Sequence, residues 1–250
     1  MTRNSGPAMS ETDVTILTDK AIAALAAEVA GQAREAFAQG RRYILGIAGI
    51  PGSGKSTFAQ QLAAAVERTA PGITRVIPMD GFHLSNQRLD ELGLRSLKGS
   101  PATFDVAAFI ALLASVKEPP KPDGEARRAV GVSSPQVIPF PIYDRALHEP
   151  VLSRDSSHAI TPSTQLIITE GNYLLLDELP WSQLTGVLDA CWWLDTPLDQ
   201  ARQWILSRHI RGGREIDSAV QHYGRTDLPN AKLVLSKMRK PDRGLKRAPR

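Results

Sequence analysis

GIAGIPGSGKST, residues Gly46 to Thr57, sets three closely spaced glycines directly ahead of a lysine and two hydroxyl residues. Gly49 to Ser56 match G-x-x-x-x-G-K-[ST], the spacing of a phosphate-binding P-loop. The flanks agree with the motif. YILGIA (Tyr43 to Ala48) reads as a short, fully buried strand. STFAQQLAAAVERT repeats apolar residues at spacings of three and four through Phe58, Leu62, Ala65 and Val66, so a helix should follow. A loop between a strand and a helix N-terminus offers unpaired N–H groups at the positive end of a dipole, and Gly52 and Gly54 let a phosphate approach them. The expected cradle is Gly49, Ile50, Pro51, Gly52, Ser53, Gly54, Lys55, Ser56 and Thr57. Lys55 supplies a point charge for the β- and γ-phosphates, and the Ser56 hydroxyl is placed to ligate Mg²⁺.

The remaining composition bounds the answer. With 250 residues, 42% hydrophobic and 22% charged, the chain fits one large α/β domain. MTRNSGPAMSETD has no apolar signal core and no run approaches the roughly 18 apolar residues of a membrane span, so a cytoplasmic protein without a membrane partner is expected. The single cysteine, Cys191, lies inside ACWWL and reads as core. Net charge is +4 but uneven, with 13 Lys and Arg against 4 Asp and Glu in residues 201–250, leaving −5 for the rest. The end of that segment, RKPDRGLKRAPR, reads as a solvated tail, and it lacks the interleaved aromatics of a nucleic-acid surface.

Along the chain, strands and helices alternate. An amphipathic helix, roughly Asp13 to Gln39, shows Leu17, Ile22, Leu25, Val29 and Ala33 on one face. Strands are expected at Thr74–Met79, Gln165–Thr169 and Ala190–Asp195, with helices near Val106–Val116, near Trp181 and from Pro197 onward. KEPPKPDGEAR (Lys117 to Arg127) reads as a loop, and VGVSSPQVIPFPIYD as a hairpin or extended excursion. This alternation implies a doubly wound parallel sheet with ligands beyond the carboxyl ends of its strands. Two carboxylates emerge there. Asp80 follows the second strand and Glu170 follows QLIIT. Phosphoryl transfer needs a base and a metal-orienting carboxylate, which Asp80 and Glu170 could supply; a turn or helix-cap role remains open for Asp80 and a surface-turn role for Glu170.

GIAGIPGSGKST, MDGFH, KGSPATFD, PIYDRALHEP and IITEGNYLLLD together resemble the kinase group of uridine kinase, bacterial pantothenate kinase and phosphoribulokinase, with the wording most similar to a bacterial fructokinase-like, or nucleoside/nucleotide kinase, branch. The likeness runs from about Arg42 to about Asn230. It implies a P-loop kinase fold with a helical lid, ATP and Mg²⁺ as cofactors, Asp80 as the base for an acceptor hydroxyl and Glu170 beside Ser56 on the metal. It also implies Asp105, Tyr143 and His148 as acceptor contacts; a plain N-cap role stays open for Asp105, which directly precedes the apolar helix VAAFIALLASV, and simple packing for Tyr143 and His148. Arg145 stands where uridine kinases more often have a neutral residue, which points away from uridine itself and makes Arg145 a candidate contact.

QARQWILSRHIRGGRE reads as a helix breaking at Gly212-Gly213, with Arg208 and Arg211 on one face and Arg214 beyond the break. Guanidinium groups on such a hinged lid can close over phosphates. The organisation read from the chain is an N-terminal segment 1–40, a kinase domain 41–240 with its lid at about 207–216, and a basic tail 241–250. The function read is a kinase for a hydroxyl of a small metabolite such as a sugar, nucleoside, pantothenate or glycerate, acting as monomer or homodimer without nucleic acid. The alternatives are a nucleotide-monophosphate kinase and a non-catalytic nucleotide sensor or ATPase. A GTPase switch lacks support because no N-K-x-D motif is present.

Overall fold

The computed structural model describes residues 14–119, 137–153 and 155–248. Outside them lie the first 13 residues, most of the Lys117–Arg127 loop, the start of the excursion that follows it, and the last two residues of the expected tail.

The chain opens on strand β1 (Val14–Leu17) and helix α1 (Asp19–Ala38). The helix expected from Asp13 therefore starts later. Val14, Thr15 and Ile16 are β-branched and suit an extended strand, and Thr18 caps α1 by accepting from the Ala21 N–H at 3.1 Å. Strand β2 (Tyr43–Ala48) runs through the glycine-rich loop into α2 (Lys55–Thr69) and then β3 (Thr74–Pro78). A single 3₁₀ turn, Met79–Phe82, follows, then α3 (Asn86–Glu91) and α4 (Val106–Lys117). The described part of the excursion forms two short antiparallel pairs: β4 (Ile138–Pro139) with β7 (Ala159–Ile160), and β5 (Pro141–Asp144) with β6 (Glu149–Leu152). The chain returns through β8 (Leu166–Gly171), a 3₁₀ turn at Trp181–Gly186 where a helix was expected, and β9 (Ala190–Asp195). It ends with α5 (Leu198–Arg211), α6 (Ile216–His222), one π turn (Tyr223–Asp227), α7 (Leu228–Lys237) and β10 (Arg243–Arg247).

Six strands form one parallel sheet in the order β1-β10-β9-β2-β8-β3. Alternation along each strand sends Leu45, Ile47, Ile168 and Leu194 to the face covered by α1 and α2. Ile44, Ala48, Ile167 and Cys191 go to the opposite face, against Phe109 and Leu113 of α4 and Val234 of α7. Helices thus cover both faces, as the doubly wound reading requires. Cys191 is fully buried, which pushes its thiol up to about 12 and leaves it inert at neutral pH. Among the described residues no helix is long and apolar enough to cross a membrane.

The solvated tail needs correction. Residues Arg243–Arg247 are an interior strand, with Gly244 opposite both Val14 of β1 and Trp193 of β9. The charged letters conceal it because Leu245 is the strand's one fully buried large apolar side chain, while Arg243 is held by ion pairing to Glu28 and by stacking over the Trp192 ring at 4.9 Å. Truncation after Pro241 should therefore abolish the folded, soluble chain, as read by near-UV circular dichroism and gel filtration. A solvated tail would be removable at a cost within about 0.5 kcal/mol.

Candidate active site

The parallel register sets the site's geometry. Ile47 of β2 and Pro78 of β3 both lie opposite Glu170 of β8, so three strands end at one level. From that level the glycine-rich loop leaves β2, and Asp80 sits in the 3₁₀ turn directly after β3. Gly52 and Gly54 adopt φ of 77° and 83°, in the left-handed region that glycine enters without penalty. Gly54 caps α2, and the Phe58 N–H donates to its carbonyl at 3.0 Å as the first helical bond. The α-carbon of Gly52 faces α5 so closely that a Cβ there would lie 2.5 Å from Ile205 and 2.7 Å from the Ala201 carbonyl. The helix carrying Arg208 and Arg211 therefore rests directly on the loop.

Charges gather under this loop. Burial lowers the Lys55 ammonium from the ordinary lysine range; the carboxylates of Glu170 and Asp80 act in the opposite sense, and Arg208 acts with burial. Glu170 is 6% exposed, and burial raises its carboxyl, opposed by Lys55 and by a hydrogen bond from the Ser56 hydroxyl. A carboxylate and a hydroxyl held together beside a half-buried lysine form the hard oxygen set that a divalent cation takes.

A cavity of about 960 Å³ opens over the loop, lined by Gly52, Gly54, Lys55, Ser56 and Thr57 and by Arg145, Arg208 and Arg211. Its far wall comes from the strands that the sequence concealed: Leu17 and Thr18 at the end of β1, and Lys246, Arg247 and Ala248 at the end of β10. Arg247 donates to the Gly54 carbonyl at 3.0 Å and lies over the Trp204 ring. Across the whole cavity, six cationic side chains against Asp19 and Asp195 make the lining strongly attractive to a polyanion. The basic C-terminal end thus faces a cavity large enough for a whole nucleotide.

An aromatic cluster also adjoins the Asp80 turn, where His83 Nδ1 lies 2.9 Å from the Asp80 carbonyl. His83 stacks against Phe104 at 4.0 Å and Tyr143 at 4.9 Å between ring centroids, and Phe104 continues to Tyr173 and Trp181. Burial raises the hydroxyls of Tyr143 and Tyr173 and lowers the His83 imidazole, and Asp80 is the leading charge acting on all three. Gly81 admits this packing, since a Cβ there would lie 2.1 Å from the Pro141 carbonyl.

Of the expected acceptor contacts, the structure brings Tyr143 beside Asp80, while the Arg145 charge reaches Glu170. Asp105 is exposed and caps α4, accepting from the Ala108 N–H at 2.9 Å, so its carboxylate serves the helix as the sequence allowed. His148 is an exposed turn residue at φ 52°, and its carbonyl accepts from Lys98 Nζ at 2.6 Å. Residues not singled out from the sequence are His83, Tyr173, Trp204, Arg247 and Asp227. His83 and Tyr173 stand inside the quoted MDGFH and IITEGNY stretches and were legible there. Asp227, whose charge also acts on Lys55, comes from a π turn that no periodicity marks.

A P-loop at the carboxyl edge of a doubly wound parallel sheet defines a P-loop nucleotide-binding protein. No family model matches the chain. It is 36% identical over 201 residues to "Uncharacterized protein YggC" of Escherichia coli K12, covering 80% of this chain and 75% of that protein. It is 32% identical over 222 residues to "Putative uridine kinase C227.14" of Schizosaccharomyces pombe, covering 86% and 87%. Fungal relatives named ATP-dependent kinase match at 27–30% identity, the alignments spanning 56–62% of their length. The structure of a "putative fructose transport system kinase" from Silicibacter sp. TM1040 superposes with a TM-score of 0.70 at 29% identity, covering 91% of this chain and 98% of that one. The chain belongs to this uridine kinase-like family of ATP-dependent P-loop kinases.

The contact between Gly52 and α5 is open to test. Gly52→Ala should lower the unfolding free energy by about 1–3 kcal/mol, through positive φ and collision with Ile205. Gly31→Ala, in mid-α1 with nothing within 4 Å of the added Cβ, should raise it by roughly 0.5–1 kcal/mol. Urea unfolding of the two variants compares them.

Proposed function

We propose that the protein transfers the γ-phosphoryl group of Mg-ATP to a hydroxyl of a small metabolite, with Asp80 as the general base. The observation that carries this reading is the position of Asp80 in the turn that follows Pro78, which lies opposite Glu170, with its carbonyl 2.9 Å from His83 Nδ1 and its charge felt by Lys55, Glu170, Tyr143 and Tyr173. A carboxylate adjoining both the P-loop lysine and an aromatic cluster supports the role of accepting a hydroxyl proton as the oxygen attacks in line.

In this reading the loop N–H groups and Lys55 hold the β- and γ-phosphates. Ser56 and Glu170 would hold Mg²⁺, which would supply charge neutralisation at the triphosphate. Arg208 and Arg211 lie on the helix that rests on Gly52, so closure of its C-terminal end brings guanidinium charge onto the spreading negative charge of the transition state. Tyr143 and Arg145, on the β5–β6 hairpin, orient the acceptor. Acceptors of sugar, nucleoside, pantothenate or glycerate type all carry the hydroxyl that this reading requires. The names of two relatives, one a uridine kinase and one a fructose system kinase, agree with that range.

Asp80→Asn keeps the side-chain shape and removes its basicity. General-base assistance is worth about 10²–10⁴-fold, so kcat should fall by that much or more while ATP affinity by calorimetry stays within a few-fold. Loss of both together would make Asp80 structural; retention of both removes it as base.

Glu170→Gln should raise the Mg²⁺ concentration needed for half-maximal activity, because an amide orients a hydrated divalent cation less well than a carboxylate. An unchanged Mg²⁺ dependence takes Glu170 out of the metal shell.

A further inference from the structure

Behind the lid, three side chains from three elements converge. His209 projects from the last turn of α5, His222 ends α6, and Asp227 ends the π turn that follows. One candidate ligand atom from each lies within 4.8 Å of the other two. His209 Nε2 and Asp227 Oδ2 stand 3.8 Å apart, too far for a hydrogen bond, and both atoms are buried with no hydrogen-bond partner. Asp227 as a whole is only 9% exposed. Two unsatisfied buried polar atoms facing each other across such a gap are costly, and a group bound between them would remove that cost.

The backbone is shaped for this convergence. His222 and Asp227 are five residues apart, which on a regular α-helix places them about 140° from each other around the axis. The widened turn over Tyr223–Asp227 follows an i to i+5 repeat and brings the pair onto one side, and π insertions of this kind gather at functional positions. The His209 and His222 rings meet edge to face at 5.0 Å. Burial lowers both imidazoles, His209 to about 4, so both are neutral at pH 7, the form that ligates a metal. Burial also raises the Asp227 carboxyl, to about 6, so it is predominantly ionised at that pH.

We propose that His209, His222 and Asp227 form a binding site for a transition-metal dication of the Zn²⁺ class, separate from the Mg²⁺ position at Ser56 and Glu170. Two imidazoles and one carboxylate are a borderline-soft donor set that suits Zn²⁺, Co²⁺ or Ni²⁺ and does not suit Mg²⁺, which demands oxygen. With three protein ligands, the fourth tetrahedral position is left to water. The charges facing the site are Arg208 and Arg214, which act on both histidines and on Asp227, and Lys55, which acts on Asp227. Their repulsion weakens any cation held only by charge and leaves imidazole coordination to select the metal. A bound ion joins α5 to the far side of the Gly212-Gly213 break and so fixes the hinge on which Arg208 and Arg211 ride.

The test uses the full chain, stripped with chelator and free of nucleotide, since a triphosphate itself binds Zn²⁺. Zn²⁺ is titrated against a chromogenic chelator, and Co²⁺ is added in parallel to read the visible absorption of a tetrahedral site. The expected result is one ion per chain, unaffected by Mg²⁺ in excess. His209→Gln, His222→Gln and Asp227→Asn should each weaken it by at least about tenfold, since losing a ligand costs no less than losing its outer-shell support. His158→Gln, on the β6–β7 connection, should leave it unchanged. His222 is half-buried at a helix end, so its variant keeps the fold, checked by circular dichroism. Absence of competition with the chelator, or one-to-one binding that survives the double substitution of His209 and His222, overturns the site.

Discussion

The register of three parallel strands is the constraint on which the rest of the site depends. Ile47, Glu170 and Pro78 lie side by side, so the loop after β2, the carboxylate of β8 and the turn after β3 emerge at one height. A slip of one residue would turn Glu170 into the opposite layer and separate it from Lys55, because side chains in a strand alternate faces. That register is held by the two apolar layers on either side of the sheet, so the core that stabilises the fold also aligns the carboxylates.

Such alignment concentrates charge in a poorly solvated place. Lys55 and Glu170 each lose hydration there, and each is compensated by the other, with Ser56 adding a hydrogen bond to the carboxylate. The cavity above carries a marked excess of cationic side chains, which a polyphosphate with its metal would neutralise. The apparent surplus of positive charge in the last fifty residues is thereby given a local purpose, since Arg208, Arg211, Lys246 and Arg247 all face this one cavity.

Much of this was legible in the letters, for physical reasons. The P-loop could be read because its glycines, lysine and hydroxyl are dictated by local backbone chemistry. The strands β2, β8 and β9 could be read because burial on both faces demands continuous apolar runs. The edge of the sheet could not. VTIL merges with the amphipathic pattern of α1, and RGLKR reads as solvent-exposed because its arginines are satisfied by Glu28, Trp192 and the Gly54 carbonyl, all distant in sequence. Asp227 was hidden for a related reason: a π turn follows neither helical nor strand periodicity. For Asp105 the opposite held, since its local capping chemistry was visible and is what the structure shows.

The central claim is that the two carboxylates serve transfer to an alcohol, and the nature of the phosphorus product tests it most directly. Phosphorus NMR of the full chain with Mg-ATP and a panel of sugars, nucleosides, pantothenate and glycerate would follow the γ-phosphoryl group itself. The account predicts a phosphomonoester resonance appearing in step with ADP for at least one acceptor. Formation of ADP with inorganic phosphate alone across the panel, or of a phosphoanhydride from an added nucleoside monophosphate, would contradict it.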